Sequence, residues 1–210
     1  MSRVLIVGAS RGIGLGLVDV HLDAGWEVHA TTRDGSPPRD HPDLASHRLD
    51  VRDEPQLEQV IDELDRPLDR IIHNAGIKDA PYDELIRVNV DSAIRVVQRL
   101  LDASRLRDGG IVAVMSSRAG SRAGRSGRLG DYGESKAVLN ERFRERCPAW
   151  REAGAIAVAL HPGWVRTDMG GRSAPVGVSE SSEGILRVLD RLTPDDHGRF
   201  LTWEGREQAW

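Results

Sequence analysis

The chain has 210 residues, 39% of them hydrophobic, and a net charge of −4. That is apolar material enough for one globular domain over residues 1–210, and the charge argues against a general nucleic-acid or membrane-surface role. The one cysteine, Cys147, excludes an intrachain disulfide and reads as a packing residue. No signal-peptide pattern is present, and no apolar run approaches the roughly 20 residues that span a bilayer, so a cytoplasmic protein is expected.

Taken in chain order, short β-branched runs alternate with segments of helical spacing. A first strand at 4–7 enters Gly8-Ala9-Ser10-Arg11-Gly12-Ile13-Gly14 and then a helix at 13–24. Glycines there allow a tight turn and close backbone approach, and a helix N-terminus offers free N–H groups to a pyrophosphate. The spacing is G-x-x-x-G-x-G rather than the commoner G-x-G-x-x-G. A second strand at 27–31 precedes Thr32, Arg33 and a proline-rich stretch at 34–42. A third at 48–51 ends in Asp50-Val51 and is followed by a helix at 54–64.

The fourth strand, 70–73, runs into Asn74-Ala75-Gly76, and a long helix at 83–104 carries Asn89. The fifth, 111–115, leads to Ser116-Ser117 and then to a glycine- and arginine-rich stretch holding Arg118, Arg122, Arg125 and Arg128. A helix at 132–152 begins with Tyr132 and Lys136, and Pro148 is expected to kink or end it near Cys147. The sixth strand, 155–160, precedes Pro162-Gly163, Val165 and Thr167; a helix at 179–192 and a strand at 199–202 complete the order. Alternation of this kind implies an α/β fold, a doubly wound parallel sheet of about seven strands flanked by helices.

Tyr132 and Lys136 are the pair with the clearest chemistry. Residues i and i+4 share a helix face, and a cation held near a phenol favours the phenolate, moving a pKa of about 10 toward the working range. The chain has only two tyrosines and two lysines, which makes the pairing harder to attribute to composition.

With these motifs standing in order, the chain resembles the short-chain dehydrogenase/reductase family. Six landmarks match in sequence: the glycine loop, Asp50-Val51, Asn74-Ala75-Gly76, Asn89 within Val88-Asn89-Val90, Ser116-Ser117 before Tyr132 and Lys136, and Pro162-Gly163. His73 replaces a frequent asparagine. Val7 replaces a usual threonine, a departure expected to alter local hydrogen bonding but not the loop's geometry. The run from His161 through Gly171 and the C-terminal Trp203 and Trp210 resemble the compact C-factor and sniffer-type carbonyl reductase branch.

The resemblance implies a Rossmann-type NAD(P)-binding domain and assigns roles. Tyr132 would be the acid or base, and Lys136 would lower its pKa and hold the nicotinamide ribose. Ser117, rather than Ser116, would bind the substrate oxygen, and Asn89 would hold a water linking Lys136 to solvent. Gly8, Ser10, Arg11, Gly12, Ile13 and Gly14 would hold the pyrophosphate, while Asp50, Val51, Asn74, Ala75 and Gly76 would line the adenosine half. Pro162, Gly163, Val165 and Thr167 would meet the nicotinamide.

Counting from the glycine loop lands on Asp34, which would suit NAD. Aligning on the family's helix-ending glycine, Gly25, instead places Thr32 at the ribose-binding position, followed by Arg33 and accompanied by Arg11. Two guanidiniums without a carboxylate suit a 2′-phosphate, so NADP(H) is favoured.

The expected activity is NADPH-dependent reduction of a small aldehyde or ketone, by a homodimer or homotetramer, with no metal. The alternatives are an NADP(H)-binding signalling protein of the C-factor type, and a nucleotide-sugar epimerase or dehydratase, for which the segment after Tyr132 is short. The four arginines between Ser117 and Tyr132 would either be solvated or form an electropositive rim to the substrate entrance.

Overall fold

The computed structural model describes residues 1–123 and 130–210. Seven strands form one parallel sheet in the order β3-β2-β1-β4-β5-β6-β7. They are β1 Arg3–Val7, β2 Glu27–Thr32, β3 Leu44–Arg48, β4 Leu68–His73, β5 Leu106–Met115, β6 Ile156–His161 and β7 Phe200–Thr202.

The period of two along each strand divides the apolar residues between two cores. On β1, Val4 and Ile6 face one layer while Leu5 and Val7 face the other. The first layer contains α1 (Gly12–Asp23) and α6 (Val178–Leu189); the second contains α2 (Glu54–Glu63), α4 (Ser92–Asp102) and α5 (Gly130–Glu152). Both faces being covered explains why β1 is buried throughout its length. Strand order reverses beside β1, between the β1–α1 and β4–α3 connections, where doubly wound sheets place their ligands.

Three elements differ from expectation. The third strand is Leu44–Arg48, overlapping the expected 48–51 at Arg48 alone. It is the sheet's edge, so Ser46, His47 and Arg48 are tolerated there, whereas Leu49 and Val51 mimic a buried run just beyond it. The expected helix at 83–104 is α3 (Tyr82–Ile86), a π-turn (Arg87–Asp91) and α4. Within the π-turn the Ser92 N–H reaches back five residues to the Arg87 carbonyl.

Pro148 does not end α5, which continues to Glu152. Trp150 holds the last turns in place: it is fully buried, packs edge-on against Phe143 at 5.8 Å and donates its Nε1–H to Gln98. Burying an indole outweighs the one helix hydrogen bond that proline removes.

Candidate active site

Two motifs far apart in sequence interlock at the ends of β1 and β4. The Asn74 side chain donates to the Gly8 carbonyl at 2.8 Å. A Cβ on Gly8, whose φ is +83°, would lie 2.8 Å from the Ala75 Cα; one on Gly14 would lie 2.0 Å from the Gly8 carbonyl oxygen. The threonine missing at Val7 is replaced across the sheet, because Thr31 Oγ1 accepts from the Gly8 N–H at 3.1 Å. No side chain among the described residues caps the N-terminus of α1 at Arg11. Its first-turn N–H groups, with the glycine cradle, therefore fit a pyrophosphate.

Gly14→Ala should cost roughly 1–3 kcal/mol by overpacking against a backbone oxygen. In a thermal melt that is a fall of about 3–10 °C, and an unchanged melting temperature would refute this geometry.

Ser10, Arg11 and Ile13 complete the loop, and Arg11 reaches across to Asp168 at 2.6 Å, both side chains exposed. Thr167 lies 3.2 Å from where a Cβ on Gly12 would be. The segment after Pro162-Gly163 thus folds back beside the glycine loop, which brings Thr167 and Asp168 next to Gly12 and Arg11. Val165 is buried and forms an isolated bridge with Val176.

The π-turn sets Asn89. Its buried amide accepts from Ile77 N–H at 2.8 Å and donates to Ile77 O at 2.9 Å and to Ser135 Oγ at 3.0 Å. Ser135 in turn donates to the Tyr132 carbonyl at 2.8 Å. Asn89 Oδ1 and Lys136 Nζ converge on Gly76, where a Cβ would come within 3.2 and 3.7 Å of them. An added Cβ there would press tightly on the Asn89 oxygen and meet the ammonium at ordinary contact distance.

Lys136 is buried and donates to the Met115 carbonyl at 2.9 Å. Burial alone lowers its pKa to about 8. The Tyr132 phenol moves the other way from the expected direction: burial raises it, and a hydrogen bond from Ser117 only partly opposes that. The ammonium is turned to Met115 rather than to the phenol, so desolvation dominates.

Of the two serines, Ser117 is the one beside Tyr132, while Ser116 is buried and turned to Asn140. His73, in the asparagine's place, is buried near Lys136, and both effects hold it neutral with a pKa of about 3.

At the end of β3, Asp50 is gripped by both ends of the Arg52 guanidinium at 2.9 and 2.6 Å, which lowers its pKa to about 2. Val51 is half-buried against the second core. Arg33 is exposed at the end of β2, and Thr32 turns its hydroxyl to the Ser36 carbonyl at 3.0 Å. Arg48 pairs in register with Thr32 on the neighbouring strand and is also exposed. Asp34 is occupied by the Ser36 N–H at 3.1 Å.

The suggested rim is only partly present. Arg122 is tied to Glu134 and Glu141, both at 2.8 Å on α5, and so is neutralised. Arg118 is exposed beside Ser117, and Arg125 and Arg128 lie outside the described residues.

Sequence reading missed Thr31, Ser135, Asn140, Arg48 and Asp168. Ser135 stood inside the tyrosine–lysine motif and could have been found from it. The others depend on register between strands or on long-range packing, which spacing along the chain does not reveal.

The family model described as short chain dehydrogenase matches residues 2–175. A relative named C-signal, from Myxococcus xanthus, is 38% identical over 157 residues, covering 69% of this chain and 93% of that protein. Among solved structures, the NADPH-bound carbonyl reductase from chicken fatty liver is 32% identical with a TM-score of 0.88, over 100% of this chain and 94% of that one. The carbonyl reductase Sniffer of D. melanogaster is 26% identical with a TM-score of 0.90, over 100% of both chains.

Proposed function

The chain belongs to the short-chain dehydrogenase family, and from that premise we propose that it reduces a small aldehyde or ketone with NADPH. The observation that carries this is the convergence of Ser117, Tyr132, Lys136 and Asn89 at the carboxyl end of the sheet, beside an uncapped helix N-terminus.

The cradle of Gly8, Gly12 and Gly14 would hold the pyrophosphate, with Ser10, Arg11 and Ile13 around it. Asp50, Val51, Asn74, Ala75 and Gly76 would flank the adenosine. Lys136 would hold the ribose, and Pro162, Gly163, Val165 and Thr167 would fix the nicotinamide face. When bound, the cofactor supplies the hydride. Ser117 then holds the substrate oxygen by a hydrogen bond that strengthens as charge develops there. Tyr132 gives that oxygen its proton, and Lys136 with Asn89 restores the proton from solvent. Arg33 and Arg48 stand exposed at the ends of the neighbouring strands β2 and β3, whereas Arg52 is paired with Asp50 and Glu84. NADP(H) preference is supported by these arginines and by the NADPH of the chicken enzyme.

Exposed Tyr82, Trp164 and Met169 follow the carboxyl ends of β4 and β6, and Trp164 is steadied by its Nε1–H on the Gly170 carbonyl at 2.8 Å. They would form an open, apolar substrate wall. Outward faces of α4 and α5 would supply the contacts of a homodimer or homotetramer.

A panel of carbonyl compounds assayed with NADPH and NADH tests the proposal. Arg33→Ala should raise the NADPH KM roughly 10- to 100-fold while moving the NADH KM less than about twofold, as expected for one lost charge-assisted contact. An unchanged preference would overturn the NADP assignment. The 38% identity to C-signal supports a second reading, a signalling protein that binds NADP(H). NADPH binding without turnover of any carbonyl compound would favour it.

A further inference from the structure

We propose that Asn140 is a positioning residue: it fixes the turn that carries Ser117 and thereby sets where the serine hydroxyl stands relative to Tyr132. The inference rests on the assignment of Ser117 and Tyr132 to the reaction proposed above.

Tyr132, Lys136 and Asn140 stand four residues apart on α5, so they share one face of one rigid element. Asn140 is buried, and its side chain uses both its acceptor and its donor. Its Oδ1 accepts from the Ser116 hydroxyl at 2.5 Å, and its Nδ2 donates to the Gly120 carbonyl at 3.2 Å. A carbonyl only accepts, so the contact to Gly120 fixes which end of the amide is which. Ser116 and Gly120 bracket Ser117, and one side chain therefore clamps both ends of its turn.

The turn is also pressed onto the helix. A Cβ on Gly120 would lie 2.5 Å from the Lys136 carbonyl carbon and oxygen, so only glycine allows this approach. Within the turn the Ala119 N–H donates to Ser117 Oγ at 3.1 Å, which aims the hydroxyl. Ser117, Tyr132 and Lys136 are thus all referenced to α5, and the distance between the serine and the phenol does not depend on a loop.

Aspartate at 140 would set a carboxylate against the Gly120 carbonyl, and leucine would leave two buried groups unpaired. Asparagine satisfies both. Misplacement of a reacting group by about 1 Å can cost about 100-fold in rate, so a clamp of this kind acts on kcat rather than on cofactor binding.

The test is a double-mutant cycle between Asn140→Ala and Ser117→Ala, assayed with NADPH and the best carbonyl substrate. Asn140→Ala should lower kcat roughly 10- to 100-fold and move the NADPH KM less than about twofold. In the Ser117→Ala background the same change should cost less than about twofold, because its route is through the serine. Full additivity would overturn the proposal.

Ser116→Ala removes one clamp contact with little change of shape. If Asn140→Ala fails to melt cooperatively, this variant decides: a kcat loss absent in the Ser117→Ala background supports the clamp, and no loss overturns it.

A readout independent of turnover is available because the chain has only two tyrosines. In a Tyr82→Phe background, phenolate absorbance near 295 nm reports Tyr132 alone. Ser117's hydrogen bond lowers that phenol's pKa, so Asn140→Ala should move the titration midpoint toward alkaline pH, by about half a pH unit or more. If the protein binds NADPH and reduces no carbonyl compound, the assigned reaction fails, and this titration still judges the clamp. A midpoint that stays in place would overturn it.

Discussion

Tyr132→Phe is expected to lower kcat by about 100- to 10,000-fold, the range that a positioned general acid contributes, while NADPH binds within about twofold of wild type. The substitution removes one oxygen from a half-buried ring and leaves its shape otherwise unchanged, so the fold has little reason to respond. What is lost is the proton for the substrate oxygen and the partner of Ser117. Turnover should be measured alongside NADPH binding by fluorescence. Retention of a tenth or more of the wild-type rate would sink the assigned mechanism, in which Tyr132 gives the substrate oxygen its proton.

Lys136→Met should remove activity and raise stability together. Folded Lys136 gives up its proton near pH 8, whereas in the unfolded chain it keeps it to an ordinary lysine pKa of about 10.4. Between those values the unfolded state binds more protons, so this group's contribution to stability improves as pH rises through that window. Below pH 8 the full cost of burying the cation is present. Methionine abolishes that cost and forfeits the hydrogen bond to Met115 O. The net gain should be roughly 1–2 kcal/mol at pH 7, shrinking toward pH 10. Denaturant unfolding of both proteins at pH 7 and pH 9.5 measures it. A variant less stable than wild type at pH 7 would contradict a net cost of burying the Lys136 ammonium.

Much of this site was legible because its chemistry is written in short, local motifs. The glycine loop needs φ values and approaches that only glycine gives, and Gly8 and Gly14 show both reasons at atomic distance. Tyr132 and Lys136 are legible because helix geometry alone puts them on one face. The edge strand was misplaced because an edge need not be apolar, and Pro148 misled because tertiary burial of Trp150 overrides a local breaker. His29 and His47 meet at 2.9 Å across two strands, buried, from positions 18 apart. Nothing in a linear spacing announces such a contact; strand register creates it.

Electrostatic direction was the least legible property. A cation four residues away suggested a lowered phenol pKa, yet Lys136 is directed to a backbone carbonyl and burial decides the sign. Sequence supplies proximity, but the balance between desolvation and charge depends on where each head group points.

The π-turn at Arg87–Asp91 gives the helix one more residue per turn than its neighbours, and Asn89 owes its direction to that surplus. Each residue of an ordinary helix advances the side chains by about 100°, so taking one residue out of this turn would swing Asn89 away from Ile77 and Ser135 even with the amide itself untouched. Function at this corner is therefore sensitive to chain length as well as to composition. Many substitutions along the exposed side of the helix would be silent there, and a single deletion would not.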